Sequence, residues 1–301
     1  MSPQVLKRIA LLLAAALLVW GALVVFGRSR RDETGGLALR RVAATEVSEI
    51  AFRRGADTIL LRREGGDWSV NGLPANVRGV TTFLAALGDS SARSEVVAQS
   101  RGSHARLGVD SSNGRRLTIT VAGKAAVDLW LGNRGPDFEG FYVRPQGSDV
   151  AYLLRGQFAE LTAQGVPEWR EKQFAAVAAD SVGKVEVGRG RSRWTLTRGS
   201  AGWSLGGRPA DATKVARFLG QFSGLRASGF PELAEMDSID FSKPDRTVSL
   251  SSREGQPLLA LVFDSTHAGA FWVRRAAGGP VYRLDQRVAD LVTPAESTFK
   301  Q

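Results

Sequence analysis

The chain of 301 residues has no cysteine and only two histidines. Without cysteine there is no disulfide, no thiolate nucleophile and no sulfur-ligated zinc or iron–sulfur centre. Lysine is scarce too: only 7 of the 40 basic residues, the other 33 being arginine. The net charge of +10 suits an anionic partner such as acidic lipid, an envelope polymer or nucleic acid. The arginines are nevertheless scattered, with no run of five. Coding from a GC-rich genome accounts for arginine over lysine, and the clustered footprint of a nucleic-acid binder is missing. Nucleic acid is therefore not the expected partner. There is also no Gly-x-x-x-x-Gly-Lys loop to cradle a phosphate.

What the chain does have is a copy of itself. Residues 47–87 align without a gap onto 182–222 at an offset of 135, with 13 of 41 positions identical. The shared string is Trp-Ser-x-x-Gly-x-Pro-Ala followed by Val-x-x-Phe-Leu, so Trp68, Pro74 and Phe83 match Trp203, Pro209 and Phe218. The copies meet again at an offset of 130, where Phe141–Arg144, Tyr152 and Leu154 match Phe271–Arg274, Tyr282 and Leu284. Leu117–Val121 and Thr247–Ser251 are paired at this same offset, which places a five-residue shortening between 88 and 117. Fixed-offset self-similarity of this kind marks a duplicated module.

Ahead of the repeats, Ile9–Phe26 is a run of 18 uncharged residues. As a helix it is roughly 27 Å long, against a bilayer core of about 30 Å. It exceeds a typical signal-peptide core, and no small-x-small cleavage site precedes Arg28, Arg30 and Arg31. The run reads as an uncleaved signal anchor. The flanking charges nearly tie, so orientation rests on the short N-terminus staying inside and the long remainder crossing regardless of charge. The expected place is the cytoplasmic (inner) membrane, single-pass, with the C-terminal domains extracytoplasmic.

The expected layout is an anchor (1–26), a polar stalk (27–44), module 1 (45–162), a connector (163–181) and module 2 (182–301). In each module two short strands flank a turn at Arg54–Asp57 or its counterpart, and a third carries Trp68 or Trp203. Pro74 and Pro209 are read as first helical residues, where the missing N–H costs nothing. Val77, Val80, Thr81, Leu84 and Leu87 are read as one helical face, answered by Val215, Phe218, Leu219 and Phe222. A four-stranded meander and a closing helix follow, with Phe158 and Leu161 answering Val288 and Leu291. Links this short exclude parallel crossovers, so the fold class is α+β: an N-terminal transmembrane helix, then two tandem modules of antiparallel sheet plus helix. Trp169 and Phe174 make the connector a packed segment that holds both modules, not a loose tether.

Several segments together resemble the bacterial domain of unknown function 4340 family. They are the hydrophobic N-terminus, Gly65–Val70, Leu-Gly-Val at Leu107–Val109, Leu-x-Leu-Gly at Leu129–Gly132, Tyr-Val-Arg at Tyr142–Arg144 and Trp-Arg-Glu-Lys at Trp169–Lys172. The chain departs from the family around Leu107–Asn113, which lacks an aromatic before the Leu-Gly and a proline after it. The resemblance implies a membrane-anchored envelope protein associated with ABC-type export or gliding-type transport. An ABC-type permease or another envelope protein is then the expected partner. It implies no catalytic residue.

The residues themselves offer no catalytic set. Asp264, Ser265 and His267 lie within four positions, whereas hydrolase triads draw on separate elements. Asp137 and Glu139 in a Gly-flanked loop read as turn formers, not a glycosidase pair. Asp110–Gly114 lacks the further acidic ligands of a calcium loop. His104 reads as a surface loop residue. Trp68 and Trp203 suggest a stacking platform, but their equivalence favours a core role. Pro74, Pro209, Phe83, Phe218, Tyr152 and Tyr282 join them as the structural repeat core. No catalytic, cofactor or metal residue is assigned. The expected function is a non-enzymatic accessory or interaction component of an envelope or ABC-type transport system. Binding of an anionic envelope polymer or lipid headgroup is the alternative, and a hydrolase the remote third.

Overall fold

The computed structural model describes residues 36, 37, 39, 42–89, 94–136, 138–266 and 268–300. The Ile9–Phe26 run, its flanking arginines, Asp137 and His267 lie outside the described residues. Among those described, no helix is long and apolar enough to cross a membrane. The chain divides into two compact units, one ending at Trp169 and the other beginning at Arg170.

The first unit is a nine-stranded antiparallel sheet. Its strands are β1 (Val47–Arg54), β2 (Asp57–Glu64), β3 (Asp67–Val70), β4 (Leu73–Pro74), β5 (Ser94–Ala98), β6 (Arg115–Val121), β7 (Lys124–Arg134), β8 (Phe141–Pro145) and β9 (Ala151–Leu154). They run in the order β4-β3-β2-β1-β6-β7-β8-β9-β5. The second unit pairs β10 (Gln173–Ala175) with β15 (Leu225–Arg226). Its main sheet has eight strands: β11 (Lys184–Arg189), β12 (Ser192–Gly199), β13 (Gly202–Leu205), β14 (Arg208–Pro209), β16 (Arg246–Ser251), β17 (Pro257–Ser265), β18 (Phe271–Arg275) and β19 (Tyr282–Leu284). The order β14-β13-β12-β11-β16-β17-β18-β19 repeats that of the first unit strand for strand. The first unit alone has an added edge strand, β5, paired with β9. In the second, a single bridge between Gly229 and Arg283 stands at that edge.

Alternation builds both sheets. Leu117 and Ile119 on β6, and Val248 and Leu250 on β16, are fully buried while their neighbours are less so, the signature of a sheet with one face on a core. Helix Val77–Asp89 lays Val80, Phe83, Leu84 and Leu87 into the first core; helix Ala212–Gly220 and the following turn lay Val215, Phe218, Leu219 and Phe222 into the second. Both helices are capped alike. Asn76 accepts from the Gly79 N–H at 3.1 Å, and Asp211 from the Lys214 N–H at 3.0 Å, satisfying donors that the first turn leaves orphaned. The N–H of each capping residue is bound in turn by a carbonyl, that of Trp169 at 2.8 Å or Phe299 at 3.0 Å. Each repeat thus extends to an aromatic that plugs its own core, and Trp169 belongs with the first unit.

Several expectations are corrected. Pro74 and Pro209 are exposed and lie on the two-residue strands β4 and β14, three positions before their helices; an edge strand tolerates a residue without an N–H. Val77 and Thr81 face outward, because the buried stripe is set by Phe83. Leu291 is 43% exposed, whereas its counterpart Leu161 packs against the first core. Leu37 is buried, and Leu39, Val42 and Ala44 pack on the first core; the stretch read as stalk therefore contributes to the module. Leu117 stands opposite Phe52 on β1, and Val248 opposite Val187 on β11. The structural offset here is 131, and pairing Leu117 with Thr247 would turn the strand inside out.

Candidate functional site

Several of the segments that carry the family resemblance converge on one place: the face of the first sheet opposite helix Val77–Asp89. Helix His104–Leu107 ends at Gly108, whose φ of 71° is left-handed, a conformation glycine adopts without steric cost. Gly132 on β7 lies directly beneath. A Cβ there would sit 2.3 Å from the Leu107 carbonyl oxygen and 2.7 Å from Val109 Cγ1, so only glycine permits this approach. Leu107, Val109, Ala98 and Ala151 form a small separate core, with Val97, Trp130 and Tyr142 packed against it.

Beside this core lies a cleft of about 350 Å³ lined by Arg101, His104, Asp110, Trp130, Arg144 and Asp149, among others. Cross-strand pairing sets Arg116, Trp130 and Arg144 in one row over β6, β7 and β8. The two guanidinium carbons lie 5.8 and 6.0 Å from the indole centroid, within cation–π range. Arg116 also grips Asp128 with two bonds of 2.8 and 2.7 Å. Arg144 donates to the carbonyls of Val109 at 2.9 Å and Ser148 at 2.9 Å, tying the Leu-Gly-Val loop to the sheet. Burial lowers the Arg144 pKa, and Asp149 partly offsets this.

His104 is buried, not a surface residue, and its Nε2 lies 2.8 Å from the Asp149 carbonyl oxygen. A carbonyl only accepts, so Nε2 carries the proton and is committed. The Asp149 carboxylate meets Arg101 at 2.7 Å; this bond, first, and the nearby positive charges hold its pKa below the ordinary 3.8. Asp110 Oδ1 accepts from the Ser112 and Asn113 N–H groups, both at 2.8 Å, and its pKa is lowered chiefly by the Asn113 side chain. Asp110 thus braces a turn, and the Asp149 carboxylate is held by Arg101. The cleft presents the Arg101 and Arg144 guanidinium groups, one indole face and fixed carbonyls.

The second unit keeps only part of this. Arg274 corresponds to Arg144, but Val262 stands where Trp130 stands, and Arg274 lies 4.5 Å from the Phe241 ring instead. Asp264 Oδ2 accepts the Asp240 N–H at 2.9 Å, and the Ser265 N–H donates to Asp245 at 2.8 Å. The Asp264 and Asp245 carboxylates thus hold backbone, and His267 lies outside the described residues. Glu139 is exposed. No group of three metal-ligating side chains occurs among the described residues.

The repeat-core residues are placed as follows. Trp68, Phe83, Phe218, Tyr152 and Tyr282 are buried. Trp203 is half-buried at the rim of the second core, with Arg198 5.9 Å from its ring. The buried indole there is Trp194, whose Nε1 donates to the Pro294 carbonyl at 3.1 Å. Sequence reasoning passed over Trp130, Arg144 and His104 as a site, although Trp130 and Arg144 sit on consecutive strands and stand directly opposite each other on one face.

Among known families, the one described as Domain of unknown function (DUF4340) matches residues 68–244. No curated protein and no solved structure matches the chain.

Proposed function

The chain belongs to the DUF4340 family, and from that premise we propose that it is a non-enzymatic, single-pass, membrane-anchored extracytoplasmic protein. Its role is that of an accessory or interaction component of an envelope or ABC-type transport system. The observation that carries this reading is the cleft beside Trp130. It is built by family motifs, yet its histidine and Asp110 are spent on holding backbone and its other carboxylate, Asp149, is paired with Arg101. Such a site recognises and does not turn over. The uncharged run Ile9–Phe26 supplies the anchor. Extraction of native membranes in mild detergent, followed by affinity recovery of the full chain, is expected to bring down an integral membrane partner. Arg144→Ala, or Trp130→Ala in a second variant, is expected to lower that recovery severalfold with folding retained. Recovery of the chain alone at native abundance would count against the proposal.

The +10 charge supports a second reading, binding of an anionic envelope polymer or lipid headgroup. Attachment of that kind weakens steeply between low and moderate salt, so salt-independent retention on such a polymer argues for the first reading.

A further inference from the structure

The second unit carries two surface features that the first lacks, and they complement each other. The first is a groove of about 350 Å³ between helix Ala212–Gly220, helix Gln286–Val292 and the turn Glu296–Phe299. Phe218, Leu291, Pro294 and Phe299 form its apolar floor, and Lys214, Arg217 and Arg287 stand around it. Its one lining carboxylate, Asp290, is already held by Arg246 at 2.7 Å and Arg189 at 3.1 Å. Arg217 and Arg287 make no ion pair among the described residues. At the matching positions of the first unit stand Gly79, Thr82 and Gln157, none of them cationic.

The second feature is a short helix, Leu233–Met236, with a capping box between Glu232 and Glu235. It is ordered by its own bonds, yet Leu233 is 93% exposed and Met236 45%. Three positions apart, they share one face of the turn. Glu232, Glu235, Asp237 and Asp240 surround them, with no basic residue from 232 to 242. In the first unit the counterpart stretch, Ala98 to Leu107, has Arg101 and Arg106 and no carboxylate. A capped helical turn presenting a nearly naked leucine in an acidic setting is built for an apolar groove with a cationic rim.

We propose that the Leu233–Met236 knob of one copy docks into the Lys214–Arg217–Arg287 groove of a second copy. The interface is head-to-tail: knob and groove are different patches, so each docked copy leaves one of each free. Such heterologous contacts close into rings or extend as filaments. Charge complementarity selects the partner and steers the encounter, while Leu233 and Met236 supply the apolar anchor.

The absence of native cysteine makes the test direct. Full-length chains carrying Leu233→Cys and full-length chains carrying Leu291→Cys are mixed and mildly oxidised. A mixed disulfide is expected at least about tenfold above that of a control pair, Leu233→Cys with Val77→Cys; Val77 is comparably exposed, at 46%, in the first unit. Arg217→Glu with Arg287→Glu in the groove chain is expected to reduce coupling about tenfold, and Asp237→Lys with Asp240→Lys in the knob chain, which leave the capping box intact, to restore it. Should the groove variant not fold, moderate salt on the parent pair gives the same reading, a severalfold drop. Coupling no better than the control overturns the proposal, as does coupling indifferent to both salt and charge reversal, or a Leu233→Cys adduct formed with some other protein.

Discussion

At the scale of single residues, the two copies solve one packing problem with different side chains. Trp194 stands at the position of Ile59, and Phe299 at that of Trp169. In the second core Trp194 and Phe299 lie 5.2 Å apart, and Phe299 meets Phe218 at 5.3 Å. In the first, Trp169 meets Phe83 at 5.4 Å in the same edge-on manner. The indole has moved from one position to the other, so the pair's volume changes only by the difference between phenylalanine and isoleucine, and near-conserving changes are those cores tolerate best. Trp169→Phe alone is expected to destabilise the first unit by about 1–3 kcal/mol, and Ile59→Trp added to it to recover part of that loss. Chemical denaturation of the single and double variants measures the coupling; strict additivity would refute the exchange. Trp68 and Trp203 are no longer equivalent by the same reasoning. Trp68, 7% exposed, is expected to cost about 3–5 kcal/mol as alanine, and half-buried Trp203 about 1–2 kcal/mol. Equal losses in thermal unfolding would contradict this difference.

At the scale of elements, the site depends on how closely one loop rides on one strand. Gly132→Ala puts a methyl where the Leu107 carbonyl oxygen already lies. It is expected to lift the 107–109 loop, break the Arg144–Val109 bond and cost about 2 kcal/mol or more. Protease sensitivity confined to residues 99–114 is the readout, and an unchanged digestion pattern would exclude it. The turns that line the cleft set an acid limit. Asp110 and Asp149 both have folded pKa values below the ordinary 3.8. Their anionic forms therefore favour the fold fully above that value, and the contribution fades as pH falls through the lowered ones. Thermal unfolding is expected to shift downward below about pH 4, with a shallower acid limb in Asp149→Asn. Because both carboxylates are exposed, the slope changes modestly. A steeper limb in the variant would reverse the assignment. The repeated helix cap was also readable in outline, since Asn76 and Asp211 are both capping types. The strand nature of Pro74 and Pro209 was not, because proline suits a helix start and an edge strand alike.

At the scale of the whole molecule, duplication has left the two sheets with one strand order and different outer faces. The first has β5 and the Trp130–Arg144 cleft; the second has a basic groove between its helices and, in the stretch corresponding to Ala98–Leu107, an acidic knob. A proposed anchor and outward orientation make a further expectation. A reporter enzyme that folds only outside the cytoplasm, fused after Gln301, is expected to be active, and one that works only in the cytoplasm to be silent. The reverse pattern would place the modules inside and remove an extracytoplasmic role.

The sequence by itself determined the duplication, the antiparallel α+β layout, the buried stripe of the second helix and part of that of the first. Those follow from local periodicity and from identities at a constant offset. Only the tertiary structure decided which indole fills each core, that β6 and β16 correspond at an offset of 131, and that His104 is interior. It also brought Gly132, Arg144 and Val109 into one cleft. These are long-range facts: a one-residue slip in register leaves composition and alternation intact while reversing the face each side chain presents. Contacts between residues tens of positions apart exist only once the strands have paired.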